Sequence, residues 1–126
     1  MEMHESSEDY LETILVLHQR NDIVRSIDVA AELGFSKPSV SRAMGILKKD
    51  GYIHMDEKGH ITLTKKGLNT AENIYARHNN ISKFFIELLG VSEENALKDA
   101  CRIEHDLTNE TYEKICEALA HKKFNI

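Results

Sequence analysis

The stretch LGFSKPSVSRAM, residues 33–44, confines the fold of this chain more tightly than any other. Gly34 is the residue type that ends a helix in the left-handed conformation. Ser36 is a capping residue, and Pro38 falls in the first turn of the next helix, where a missing N–H costs nothing. One helix must therefore stop and another start between Gly34 and Ser36. The segment before it, SIDVAAEL, offers Ser26 as a cap and places Ile27, Val29, Ala30 and Leu33 at helical spacing. The helix after it turns Val40, Ala43, Met44 and Leu47 inward and stops at Gly51. Tyr52–Met55 and His60–Leu63 then read as two short strands around a turn from Asp56 to Gly59.

Helices flank this core pattern. Ahead of it, SSEDYLETILVLHQR carries Tyr10, Leu11, Ile14, Leu15 and Leu17 as an apolar stripe, with Ser6 or Ser7 as the expected cap. Behind it, Thr64 opens a long helix to about Leu89, with Leu68, Ala71, Ile74, Tyr75, Ile81, Phe84, Phe85 and Leu88 as its apolar positions, and Gly90 breaks it. SEENALKDACRIEHDL comes next with Ser92 as cap, and Thr108 caps a last helix. The fold class is thus mainly α, with an N-terminal winged helix-turn-helix followed by a helical region.

Charge assigns the winged unit a partner. The net charge of −5 conceals an island in residues 36–66, where Lys37, Arg42, Lys48, Lys49, Lys58, Lys65 and Lys66 face only Asp50, Asp56 and Glu57. A local basic island suits phosphate contact even on an acidic protein. The second helix of the motif must enter a major groove, so its leading face carries small, polar and basic residues: Ser36, Lys37, Pro38, Ser39, Ser41 and Arg42. Lys58, in the turn of the wing, is the expected backbone contact. Taken singly, each of these residues reads equally as a cap or a solvated charge; their order along the chain is what points to double-stranded DNA. No apolar run reaches the roughly 20 residues needed to span a bilayer. The acidic start is not a secretory signal, and two cysteines make no disulfide framework, so the expectation is a cytoplasmic protein with no membrane partner.

A second group of residues is chemically conspicuous. Cys101, Glu104 and His105 stand at i, i+3 and i+4 in DACRIEHDLT, on one face if that stretch is helical. Asp9 and Glu12 share a face of the first helix, and His78 lies on the inward side of the long helix. Each has an ordinary explanation as well. Asp9 and Glu12 suit a helix N-terminus, His78 a hydrogen-bonded core position, and Cys101 a small buried hydrophobe.

The combination of EDYLETI, SKPSVSRAM, LTKKG, RHNNISKFF and ACRIEHDLT resembles the diphtheria-toxin-repressor family of metal-dependent repressors over nearly the whole chain, and its manganese transport regulator branch in particular. The resemblance implies a winged DNA-binding domain over residues 1–66, whose first helix also supplies metal ligands, and a metal-binding and dimerisation domain over 67–126. It implies that Asp9, Glu12, His78, Cys101, Glu104 and His105 hold the metal. Asp9 with Glu12 follows the manganese branch. Cys101 departs from it, standing where the best-known manganese regulators have glutamate, and Ser82 stands where relatives often have an acid serving an ancillary site. Three carboxylates and two imidazoles suit Mn²⁺ or Fe²⁺, while the thiol pulls toward Fe²⁺, Co²⁺ or Zn²⁺.

The expected function is a metal-dependent transcriptional repressor, not an enzyme, that senses Mn²⁺ (Fe²⁺ as the alternative) and controls metal-uptake genes. It would read a palindromic operator as a homodimer, the dimer resting on an apolar surplus that includes Phe84, Phe85, Leu88, Leu89, Ile115 and Leu119. No small-molecule substrate is expected. The rival reading is a metal-independent winged-helix regulator that senses a small organic ligand. A zinc enzyme fares worse, because six protein donors leave little open coordination.

Overall fold

The computed structural model describes residues 5–124 and follows the order α1 (Glu5–Arg20), α2 (Ser26–Leu33), α3 (Lys37–Lys49), β1 (Ile53–Met55), β2 (Ile61–Leu63), α4 (Lys65–Glu87), α5 (Glu93–Ile103) and α6 (Asn109–Phe124). The chain forms two compact units, one ending at Ile74 and the other beginning at Tyr75. The architecture is the mainly helical one expected, with a winged helix-turn-helix from α1 through the β1–β2 hairpin.

In the first unit, Leu11 and Ile14 of α1, Val29 of α2, Val40 and Met44 of α3 and Ile61 of β2 are all fully buried in one core, joined by Tyr10, Leu17, Leu47 and Ile53. Each such side chain contributes about 1.5–3 kcal/mol by leaving water. Gly34 takes φ +71°, and its N–H donates to Ala30 O at 2.8 Å, ending α2 as the sequence predicts. Ser36 Oγ accepts the Ser39 N–H at 3.3 Å and so caps α3. The hairpin is antiparallel, pairing Ile53 with Leu63 and Met55 with Ile61. Ile61 ties it to the helices: its N–H donates to Val24 O at 2.7 Å, and its carbonyl lies 2.8 Å from His18 Nε2.

The glycine of LTKKG has a clear cause. A Cβ on Gly67 would lie 1.9 Å from the Tyr52 carbonyl oxygen, so only glycine lets the first turn of α4 approach the start of the wing. Thr64 caps that turn, accepting the Gly67 N–H at 3.0 Å while its hydroxyl donates to Gly51 O at 2.6 Å.

The second unit is built on Ile81, Ala100, Ile115 and Leu119, against which Phe84, Phe85, Leu88, Ile103, Leu107 and Tyr112 pack. Ser92 and Thr108 cap α5 and α6 by accepting the N–H groups of Asn95 and Thr111. Leu89 stays 59% exposed, so part of the apolar surplus of this unit is not spent on its own core.

Three local expectations are corrected. The helix α1 already includes Ser6 and Ser7, so neither caps it; serine costs little inside a helix, and the turn propagates past it. Arg25, not Ser26, is the capping residue of α2, because Asp28 Oδ2 accepts the Arg25 N–H at 2.8 Å and moves the start one residue earlier. Finally, α5 ends at Ile103, and Glu104 and His105 stand in the turn beyond it.

Candidate metal centre and DNA-reading face

Glu104, the residue that closes α5, keeps right-handed helical backbone angles, and its N–H donates to Ala100 O at 3.0 Å. Cys101, in the last turn of α5, is exposed, whereas Glu104 is buried, with 2% of its side chain accessible, and His105 has 5% accessible. From α4, His78 approaches the same carboxylate. His78 Nδ1 lies 3.2 Å from Glu104 Oε2, and His105 Nε2 lies 3.4 Å from Glu104 Oε1. Glu104 thus stands between two imidazoles, with one carboxylate oxygen facing each.

Burying a carboxylate costs several kcal/mol unless its oxygens find partners. Glu104 meets that demand only in part. Oε2 has His78, but Oε1 has no hydrogen-bond partner among the described residues, since the contact from His105 falls outside hydrogen-bond geometry. A buried, oriented oxygen between two imidazole nitrogens is what a divalent cation needs: one anionic oxygen donor and two neutral nitrogen donors. The residues present therefore fit a metal ion.

The surrounding turn is held by a residue that belongs to none of the ligand patterns in the sequence. Arg77, next to His78 on α4, donates from Nε to Glu104 O at 2.7 Å and from Nη2 to Leu107 O at 2.5 Å, and reaches Asn109 Oδ1 at 3.4 Å. Its guanidinium lies 4.9 Å from the centre of the Tyr112 ring. The Tyr112 hydroxyl accepts from Asn80 Nδ2 at 2.9 Å, and burial raises its pKa above the ordinary tyrosine value, with the Asn80 bond opposing the shift. The only signal available in the sequence was the adjacency of an arginine to His78. Ser82 is buried and donates to the His78 carbonyl at 2.9 Å.

Asp9 and Glu12 belong to the first unit. They stand three residues apart on α1 and are half-buried, beside the core residues Tyr10 and Leu11. The second unit therefore brings together His78, Glu104 and His105, and the two remaining carboxylates lie on the helix that opens the first.

At the start of α3, Ser36, Lys37, Pro38, Ser39, Ser41 and Arg42 are all exposed, whereas Val40, Met44 and Leu47 are buried. The Ser36 hydroxyl also donates to Ser39 Oγ at 2.8 Å, so those two serines organise the start of the helix, and Lys37, Ser41 and Arg42 are left to solvent. In the wing turn, Lys58 is exposed, and Asp56 Oδ1 accepts the N–H groups of Lys58 and His60, each at 2.9 Å. Accepting the His60 N–H is the main reason the Asp56 carboxyl stays below its ordinary pKa. Lys66 is spoken for, lying 4.2 Å over the Tyr52 ring and donating to Asp50 O at 3.1 Å.

Residues 2–61 match the iron dependent repressor N-terminal DNA binding domain, and residues 64–125 match the iron dependent repressor metal binding and dimerisation domain. The HTH-type transcriptional regulator MntR of Geobacillus kaustophilus is 34% identical over 87% of this chain and 77% of its own length. The chain belongs to the diphtheria-toxin-repressor family of metal-dependent transcriptional repressors. An uncharacterized HTH-type transcriptional regulator of Methanocaldococcus jannaschii is likewise 34% identical, over 90% of this chain and 91% of its own length. Among solved structures, the manganese regulator SloR superposes with a TM-score of 0.78 and 26% identity over 90% of this chain. This chain spans about half of that structure, 53% of its length. Members of this family bind DNA and dimerise, and no described helix here is long and apolar enough to cross a membrane.

Proposed function

We propose that this chain is a cytoplasmic, manganese-responsive repressor of metal-uptake genes, binding a palindromic operator as a homodimer, and that it is not an enzyme. The observation that carries the metal half of this reading is the buried Glu104 carboxylate, flanked by His78 and His105 and left with one oxygen lacking a hydrogen-bond partner among the described residues. Asp9, Glu12 and Cys101 are proposed as the remaining ligands. The DNA half rests on the exposed face of α3, with Ser36, Lys37, Pro38, Ser39, Ser41 and Arg42 toward the groove and Lys58 on the phosphates. Likeness to a manganese regulator favours Mn²⁺, and the carboxylates agree with it. The Cys101 thiol keeps Fe²⁺ as the second reading, with Co²⁺ or Zn²⁺ able to occupy the same donors in vitro.

When bound, a divalent cation supplies the positive charge that Asp9, Glu12 and Glu104 otherwise lack. Without it, the three carboxylates would repel one another, and nothing at the proposed site would tie α1, with the core it is packed into, to the other ligands. With it, α1 and the attached recognition helix are held, and the two recognition helices of a dimer keep one spacing. A state that binds the cation better is populated at the expense of the others. The exposed Leu89 is proposed to continue into the dimer interface.

The test is to enrich operator DNA from random duplexes with anaerobically purified protein, then titrate Mn²⁺, Fe²⁺ and a chelator. The expected result is a tightening of roughly 5- to 150-fold by Mn²⁺. Equal tightening at lower Fe²⁺ concentration would reassign the metal. DNA affinity indifferent to both metals and to chelator would return the chain to a metal-independent regulator.

A further inference from the structure

Glu104 and His105 follow the last residue of α5, where the chain's carbonyls need donors from elsewhere in the molecule. The last carbonyls of a helix have no intrahelical donor, and those of Glu104 and Leu107 lie past the last residue of α5. Ligand atoms must nevertheless be held to within about 0.5 Å for a metal site to work. We infer that Arg77 is the positioning residue of the metal centre, fixing the ligand-bearing turn against the helix that carries His78. This role rests on the proposed metal site.

The geometry is specific. One guanidinium takes the carbonyls of Glu104 and Leu107 at 2.7 and 2.5 Å, so it grips the turn on both sides of His105. Its third contact, Asn109 Oδ1 at 3.4 Å, is with the first residue of α6, and the Tyr112 ring holds its flat face. Because Arg77 and His78 are consecutive on α4, the registration of the turn is set directly against a ligand. The planar fork of arginine suits this role and the ammonium of lysine does not, since a single nitrogen cannot span two carbonyls with the same rigidity. The charge of the guanidinium also lies near a buried carboxylate, but its donors address the backbone of Glu104 and leave both carboxylate oxygens to the histidines and the metal.

The experiment compares wild type, Arg77→Lys, Arg77→Ala and a control, Lys122→Ala, which removes a different tie to α4, the bond from Lys122 Nζ to Glu87 O. Mn²⁺ affinity is measured by calorimetry, the bound ion by electron paramagnetic resonance, and the metal-free protein by thermal unfolding. Both Arg77 variants are expected to lose about 10- to 100-fold in Mn²⁺ affinity, the range for outer-shell partners. Their bound-Mn²⁺ spectra should broaden, because the ligands then occupy a spread of positions. Lys122→Ala should lower the unfolding temperature with affinity and spectrum unchanged. Should Arg77→Ala fail to fold, Arg77→Lys decides alone. Wild-type affinity and spectrum in Arg77→Lys would overturn the positioning role. Failure of wild type itself to bind Mn²⁺ or Fe²⁺ would instead remove the site on which the role depends.

Discussion

Ser36, Lys37, Pro38, Ser39, Ser41 and Arg42 stand in solvent on α3 of the first unit, whereas Glu104 and His105 of the second show only 2% and 5% of their side chains. The contrast arises from the ligands the two units are proposed to take. Phosphates and base edges arrive from outside, and charge attracts them over about 8–10 Å at ordinary salt. Long side chains can then adjust on contact, so a rigid α3 with free tips is sufficient. A metal ion must replace its water with donors already in place, which demands burial, an oriented carboxylate and a fixed turn. The first unit invests its precision in the backbone of the helix; the second invests it in hydrogen bonds to a turn.

That difference can be broken from either side. The largest effect is expected from Gly67→Ala, where a methyl 1.9 Å from a backbone carbonyl leaves no flexible neighbour to yield. Urea unfolding should show a loss on the order of 3 kcal/mol, with DNA binding failing first. A fully stable Gly67→Ala protein would mean that the approach of α4 to Tyr52 is not needed. Next comes Glu104→Ala. Mn²⁺ affinity should fall beyond the roughly 100-fold typical of an outer-shell loss, and DNA binding should cease to respond to metal. The metal-free protein should stay folded, because a buried carboxylate is itself a burden on stability. Metal-tightened DNA binding that survives this change would put the site elsewhere.

On the exposed side the effects are smaller and of another kind. Arg42→Ala should weaken operator binding by about 1–3 kcal/mol, and Lys58→Ala should lower the slope of log affinity against log salt by about 1. Mn²⁺ affinity measured without DNA should be unchanged in both, and a shared loss would erase the distinction between the units. The smallest effect concerns the wing turn. Since the folded Asp56 carboxyl titrates below its unfolded value, its contribution is complete above about pH 4 and disappears as pH falls through the depressed folded value. Asp56→Ala should therefore speed amide exchange at Lys58 and His60 at neutral pH and leave exchange in strong acid as it was.

Local signals in the chain dictated the order of elements, the winged unit and the exposed residues at the start of α3. Gly34, Ser36, Pro38, Gly51 and Gly90 each act on their own few residues, and the periodic apolar positions of α3 needed no knowledge of partners. Helix starts were less legible: Ser26 looked like a cap, but the Asp28 carboxylate moved the start to Arg25. The candidate ligands were legible only through resemblance, since Asp9 with Glu12, or His78 alone, had adequate ordinary explanations. Tertiary structure decided how those of the second unit meet. Spacing put Cys101, Glu104 and His105 on one helical face, yet Cys101 is exposed while Glu104 is buried between two histidines. No local rule could have foreseen it. The turn beyond α5 is tied to α4 by Arg77, which donates to the Glu104 and Leu107 carbonyls, bonds between residues 27 and 30 positions apart. Such contacts exist only once the chain has folded.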